Sequence, residues 1–176
     1  YLNSFFITLG NSFGIENMSF IAGFTEEPLK FLAFLIFIKP RTEFNEQMDA
    51  IVYGTIISLG FATLENIDYV YTYNEEYSSF YIAILRAITA IPLHACCGII
   101  MGYYIALYVF KGSQKRILQA LFVPVFIHAL YNFFTDFGII IILMYLFLII
   151  LFAKSLHNEV MSLQSIKNTE DEKKLL

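Results

Sequence analysis

The 176-residue chain has no tryptophan, two cysteines and four prolines, and only 15% of its residues are charged. A soluble domain carries about a quarter charged and roughly half apolar residues. At 58% hydrophobic, this chain departs from that balance in both directions. Disorder requires the opposite composition and is excluded. Basic residues number 11 against 15 acidic, a formal charge of −4, with no basic stripe, so no nucleic-acid partner is expected. Cys96 and Cys97 are adjacent, a placement that rarely satisfies disulfide geometry, which argues against a disulfide-stapled secreted domain. Nothing basic precedes the first apolar run and no small-residue cleavage site follows it, so no cleavable signal is expected there.

What the chain does have is long apolar runs. Crossing a bilayer as a helix takes roughly 17 to 25 residues. Such runs fall near 18–38, 48–70, 88–110, 116–135 and 137–153, and a shorter stretch at 2–15 reads as part of another. Residues 79–87 read as a short interfacial helix or an extension of the span that follows. Barrel strands would alternate apolar and polar residues, and nothing here does. The expected fold is all-α: a polytopic transmembrane helical bundle of about six spans, with polar residues converging on an intramembrane site.

The connections carry a separate signal. Lys39 and Arg41 share one, Lys111, Lys115 and Arg116 another, and Lys154 opens the tail. The alternate connections hold Glu16, Glu75, Glu76 and Asp136 but no basic residue. The positive-inside bias then predicts a cytoplasmic C-terminus, with 154–176 as a charged, solvated extension. Tyr69, Tyr71, Tyr73, Tyr77 and Tyr81 form an interfacial belt around the outer 71–78 connection.

Segment 18–38 places Glu26, Glu27 and Lys30 among eleven Leu, Ile and Phe residues. Those eleven favour insertion by about 5 to 6 kcal/mol in total, while three charges near mid-membrane cost about 8 to 10 kcal/mol. Alone, the segment does not insert; it requires partner helices, a wet cavity or protonated carboxyls. Glu26 and Lys30, four apart, suit pairing. Glu65, Asn66 and Asp68 end the second full span, His94 follows Pro92, and His128 stands four residues before Asn132. At a rise of about 1.5 Å per residue, Glu26 and His128 lie about 18 Å from the cytoplasmic end and Glu65 and His94 about 25 Å. Four spans thus bring carboxylates or imidazoles into one layer. Pro28, Pro92 and Pro124 each sit within four residues of Glu27, His94 or His128, freeing backbone carbonyls that only an enclosed cavity tolerates.

Taken in order, Glu26-Glu27-Pro28-Leu29-Lys30, Phe61 with Glu65-Asn66, His94, and His128 with Asn132 resemble the PrsW family of intramembrane proteases, with its EExxK, FxxxE and paired histidine motifs. The related CAAX prenyl endopeptidases show EExxxR, FxxxH and HxxxN. Lys30 at the shorter spacing and Glu65 in place of a histidine favour the PrsW branch, while Asn132 follows the CAAX form where PrsW members often carry Asp. The resemblance covers about residues 20 to 135.

It implies a protease domain over 1–153, catalysis by Glu26, Glu27, Glu65, His94 and His128, and support from Lys30, Asn66 and Asn132. In one mechanism, Glu26 or Glu27 is the general base and Glu65 orients water. His128 and Asn132 then donate to the oxyanion, with His94 as a further donor or proton shuttle. In the other, His94, His128 and Glu65 hold a metal ion, zinc being the natural candidate for two imidazoles and a carboxylate. The implied substrate is a membrane protein, such as an anti-sigma factor, in a bacterial or archaeal plasma membrane. Cys96 or Cys97 as nucleophile is disfavoured, because no base is placed beside either. An ion, proton or small-solute transporter is the alternative of a different class, since buried Glu, Lys, Arg86 and His also suit a proton pathway. No second inverted half supports it.

Overall fold

The computed structural model describes residues 20–72 and 78–175. Among the described residues six α-helices follow one another: α1 (Ile21–Ala33), α2 (Gln47–Thr72), α3 (Ser79–Ile88), α4 (Ala90–Phe110), α5 (Arg116–Phe134) and α6 (Ile139–Leu175). There is no strand among the described residues. The all-α expectation holds.

Among the described residues, five spans are expected. Four described helical stretches are long and apolar enough to cross a membrane: Gln47–Thr72, Ser79–Phe110, Arg116–Phe137 and Ile139–Ile166. Helix α1 is not among them, because Glu26, Glu27 and Lys30 interrupt its apolar sequence. The stretch 2–15 and most of the 71–78 connection lie outside the described residues.

Local chemistry explains the boundaries. Ser78 caps α3, its Oγ accepting from the Tyr81 N–H at 3.2 Å. Pro92 has no N–H for the Ile88 carbonyl and its ring crowds that group, so the helix breaks one turn earlier. The break falls at Thr89, whose φ of −120° and ψ of −68° are not helical. Residues 79–88 thus form a short helix set off from α4 by one non-helical residue, the two together making up the Ser79–Phe110 stretch. Pro28 and Pro124 remain inside α1 and α5. After α1 the backbone widens into a π turn at Phe34–Ile38, where Lys39 N–H donates to Phe34 O at 3.0 Å. Gly138, at φ 94°, turns the chain into α6 in a conformation that favours glycine.

Helix α4 is the buried centre. It packs most extensively on α2, through glycines: a Cβ on Gly98 would lie 2.6 Å from the Gly54 carbonyl oxygen. Small residues permit this backbone approach, the usual basis of helix association where hydrocarbon surrounds both partners. On the opposite side, α1 lies against α5, and a Cβ on Gly23 would meet Ala129 N at 2.5 Å. These two close contacts bring the charged face of α1 and the ends of α2, α4 and α5 to one place.

The chain past Lys154 continues α6 without a break. Leu156 and Val160 are buried in the core, and Gln164 Oε1 accepts from the Gln47 N–H at 3.3 Å. At least the first part of the expected solvated extension is therefore packed beneath α2 and α4.

Candidate active site

Each helix contributes few polar groups, and those groups meet. From α1, Lys30 is fully buried and donates from Nζ to Glu27 Oε1 at 2.6 Å, with Glu26 Oε2 at 3.7 Å. Helical spacing dictates this, since residues three and four apart share a face. From α4, His94 places Nδ1 at 2.8 Å from Lys30 Nζ and Nε2 at 3.0 Å from Glu65 Oε2. From α5, His128 places Nδ1 at 2.8 Å from Glu27 Oε1. The two imidazole rings meet edge to face with centroids 4.9 Å apart. Phe61 of α2 lies below the Lys30 ammonium, 5.6 Å from ring centroid to Nζ.

The bonding pattern assigns proton positions. An ammonium has only donors, so Lys30 donates to His94 Nδ1 and the His94 proton sits on Nε2, which donates to Glu65. The Glu27 carboxylate only accepts, so Oε1 takes one bond from Lys30 and one from His128 Nδ1–H. That leaves the His128 Nε2 lone pair open to a proton or a cation. The second Glu27 oxygen, Oε2, is buried with no hydrogen-bond partner among the described residues. A buried carboxylate oxygen without a donor is costly, and a water or a cation beside it would relieve the cost.

All five residues expected to be catalytic, together with Lys30, thus fall in one connected cluster. Asn66 joins at its edge, its Oδ1 accepting from Arg86 Nε at 2.5 Å. Asn132 lies half-buried one turn beyond His128 on α5. Arg86, read from the sequence as a buried charge suited to a proton pathway and given no part in the protease site, joins it here: its Nη2 donates to Glu65 Oε2 at 2.7 Å, and its guanidinium stacks 3.9 Å from the Tyr69 ring centroid. The signal was present in Glu65, Asn66 and Tyr69, which share one end of α2, but Tyr69 reads equally well as an interfacial aromatic.

For a metal ion, the structure gathers a different carboxylate from the one expected. Glu26, His94 and His128 each present a ligand atom, all within 4.8 Å of one another. Glu65, the carboxylate expected in that role, is instead bonded to His94 and Arg86. Two imidazoles and a carboxylate suit zinc and leave an open position, and the unpartnered Glu27 oxygen adds negative charge nearby. The residues therefore fit the ion in type, and each ligand atom would move inward by less than about 1 Å to reach bonding distance. His128 would bind through Nε2, and His94 would first exchange Lys30 or Glu65 for the ion.

Together, the apolar helices and the buried carboxylate–imidazole cluster define an integral membrane protein with a polar centre. A family model described as "PrsW family intramembrane metalloprotease" matches residues 2–154, and the chain belongs to that family. It is 39% identical over 127 residues to a protein named "Protease PrsW" from Bacillus subtilis (strain 168), covering 70% of this chain and 55% of that protein. It is 32% identical over 142 residues to the protein of the same name from Clostridioides difficile (strain 630), covering 77% and 59%. A third, from Oceanobacillus iheyensis, is 40% identical over 110 residues, covering 61% and 49%. The chain thus spans about half the length of the curated relatives it matches. No solved structure matches it.

Proposed function

We propose that the chain is an intramembrane endopeptidase that hydrolyses a peptide bond in a membrane-protein substrate. The observation that carries this reading is the Glu27–His128 contact, 2.8 Å long and buried, which orients one imidazole nitrogen and leaves the other free. Beside it stands Glu26, whose side chain is 12% exposed while those of Glu27 and Lys30 are fully buried. An atom centred between the ligand atoms of Glu26, His94 and His128, at most 4.8 Å apart, lies no more than about 2.8 Å from each, ordinary hydrogen-bond distance for water.

The chemistry follows from this placement. A water held by Glu26 and His128 gives one proton to His128 Nε2 as it attacks the scissile carbonyl carbon. Glu27 holds the imidazole in orientation and stabilises the imidazolium that forms, as a buried carboxylate does for a catalytic histidine. His128 then returns the proton to the departing amine. Lys30 offsets the negative charge gathered around the site, and hydrocarbon around the helices strengthens each of these interactions. Zinc held by Glu26, His94 and His128 would occupy the His128 Nε2 lone pair, and its Lewis acidity would then replace that imidazole in easing deprotonation of water.

The basic loops at Lys39, Arg41, Lys111 and Lys115 support a cytoplasmic C-terminus, in the bacterial or archaeal plasma membrane that the resemblance implies. Resemblance to the family supports an anti-sigma factor or similar regulator as substrate. A transporter is the second reading, resting on the same buried charges. Cleavage of a reconstituted single-span substrate by the full chain, compared with Glu26→Gln and His128→Ala, tests the proposal. Cleavage by wild type and loss in both variants is expected. Proton flux that depends on Glu65, without cleavage, would favour the transporter.

A further inference from the structure

Arg86 is the polar residue of α3 that reaches the buried cluster, and it belongs to none of the motifs that carry the family resemblance. Its guanidinium is gripped by three side chains from one end of α2: Glu65 Oε2 at 2.7 Å from Nη2, Asn66 Oδ1 at 2.5 Å from Nε, and the Tyr69 face at 3.9 Å. Side-chain exposure is 11% for Arg86 and 18% for Glu65, so solvent weakens this pair little. The same oxygen, Glu65 Oε2, also accepts from His94 Nε2 at 3.0 Å. One carboxylate oxygen therefore ties Arg86 to the histidine that faces the proposed water. Beyond this contact, α3 has a single buried apolar side chain, Ile82.

We infer that Arg86 is a positioning residue for the hydrolytic site: it fixes Glu65 and through it the orientation of His94. The inference rests on the protease reading above. A planar guanidinium donating in two directions sets both the position and the rotation of the Glu65–Asn66 end of α2, which one point-like ammonium does not. Aimed this way, Glu65 keeps the His94 proton on Nε2 and the ring edge-on to His128. Without Arg86, Glu65 is free to swing toward solvent, and His94 loses its only acceptor at Nε2 among the contacts described. Carboxylates one step removed from a reacting histidine commonly change rates by about ten- to a hundredfold when disturbed.

The experiment compares the full chain, reconstituted with a single-span substrate, as wild type, Arg86→Ala, Arg86→Lys, Ile82→Ala and Glu26→Gln. Both kcat and KM are measured, together with Tm. Arg86→Ala is expected to lower kcat by about ten- to a hundredfold with KM nearly unchanged, and dilute guanidinium chloride, unlike matched ammonium chloride, is expected to restore part of the loss. Arg86→Lys is expected to fold as wild type yet remain impaired. Ile82→Ala loosens α3 without touching Glu65 and is expected to lower Tm while keeping kcat. Wild-type kcat in either Arg86 variant would overturn the inference, as would a kcat loss that follows Tm alike in Arg86→Ala and Ile82→Ala. Cleavage that is absent in wild type, or unchanged in Glu26→Gln, would instead sink the protease reading itself.

Discussion

Glu27 and His128 stand 101 residues apart in the chain and meet through a 2.8 Å contact between Oε1 and Nδ1. The same Glu27 oxygen receives the Lys30 ammonium at 2.6 Å. Glu27 thus does two things at once: it neutralises a buried cation and it aligns an imidazole. Glu26, its neighbour, does neither so completely and faces the more open side of the site.

The two glutamates should therefore fail differently. Glu27→Gln leaves a buried ammonium without its carboxylate, a loss of about 3 to 5 kcal/mol of stability, and removes activity as well. Glu26→Gln should remove activity at a smaller cost in stability, because its 3.7 Å contact with Lys30 is longer than that of Glu27, which still neutralises the ammonium at 2.6 Å. Thermal unfolding in detergent beside substrate cleavage separates the two. Equal destabilisation would show that the division of roles is wrong.

Metal binding should follow the residues that converge. Equilibrium dialysis with zinc is expected to give one ion per chain, with binding lost in His128→Ala and Glu26→Gln. Glu65→Gln should weaken binding only by about tenfold, since Glu65 acts on His94 from outside the set. Loss of binding in Glu65→Gln with full binding in Glu26→Gln would restore Glu65 as the ligand.

Contact between α2 and α4 should resist any added side chain. Gly98→Ala sets a Cβ against the Gly54 carbonyl at 2.6 Å, backbone against backbone, where no rotamer offers relief. Overpacking of this kind costs about 1 to 3 kcal/mol. Unfolding should occur at lower temperature, and cleavage per folded molecule should also fall, because α2 and α4 carry Glu65 and His94. Unchanged stability would mean the helices separate freely.

Much of this site is legible along the chain. The Glu26, Glu27 and Lys30 pattern, four residues deep on one helical face, states its own pairing, and span depths put Glu65, His94 and His128 in the same layer. Partner choice between spans is another matter. Which carboxylate serves which histidine depends on how closely α1 approaches α5 at Gly23, and on the break at Thr89, neither of which local periodicity encodes. The partners of Arg86 are hidden for the same reason: they lie 20 and 21 residues back on another helix. Of the expected spans, 2–15 lies outside the described residues, and α1 carries three charges among its apolar residues where the other four carry fewer in their apolar stretches. The segment after Lys154 reads as charged and solvated, although Leu156 and Val160 repeat at the helical spacing of a packed face.

That face gives a further test. Val160 is fully buried. Val160→Asp introduces an unpaired charge there and should lower the unfolding temperature sharply, whereas Met161→Asp, on the exposed side of the same helix, should be nearly neutral. Equal tolerance of both would mean that the C-terminal part of α6 does not dock.

A double-mutant cycle on Glu27 and His128 in the cleavage assay reaches the heart of the proposed mechanism. Groups that act as one unit lose their effect together. Glu27→Gln and His128→Ala should each reduce kcat by about a hundredfold or more, and the double variant should be no slower than the worse single one. Losses that multiply, or full activity in either single variant, would contradict a carboxylate–imidazole pair at the centre of the reaction.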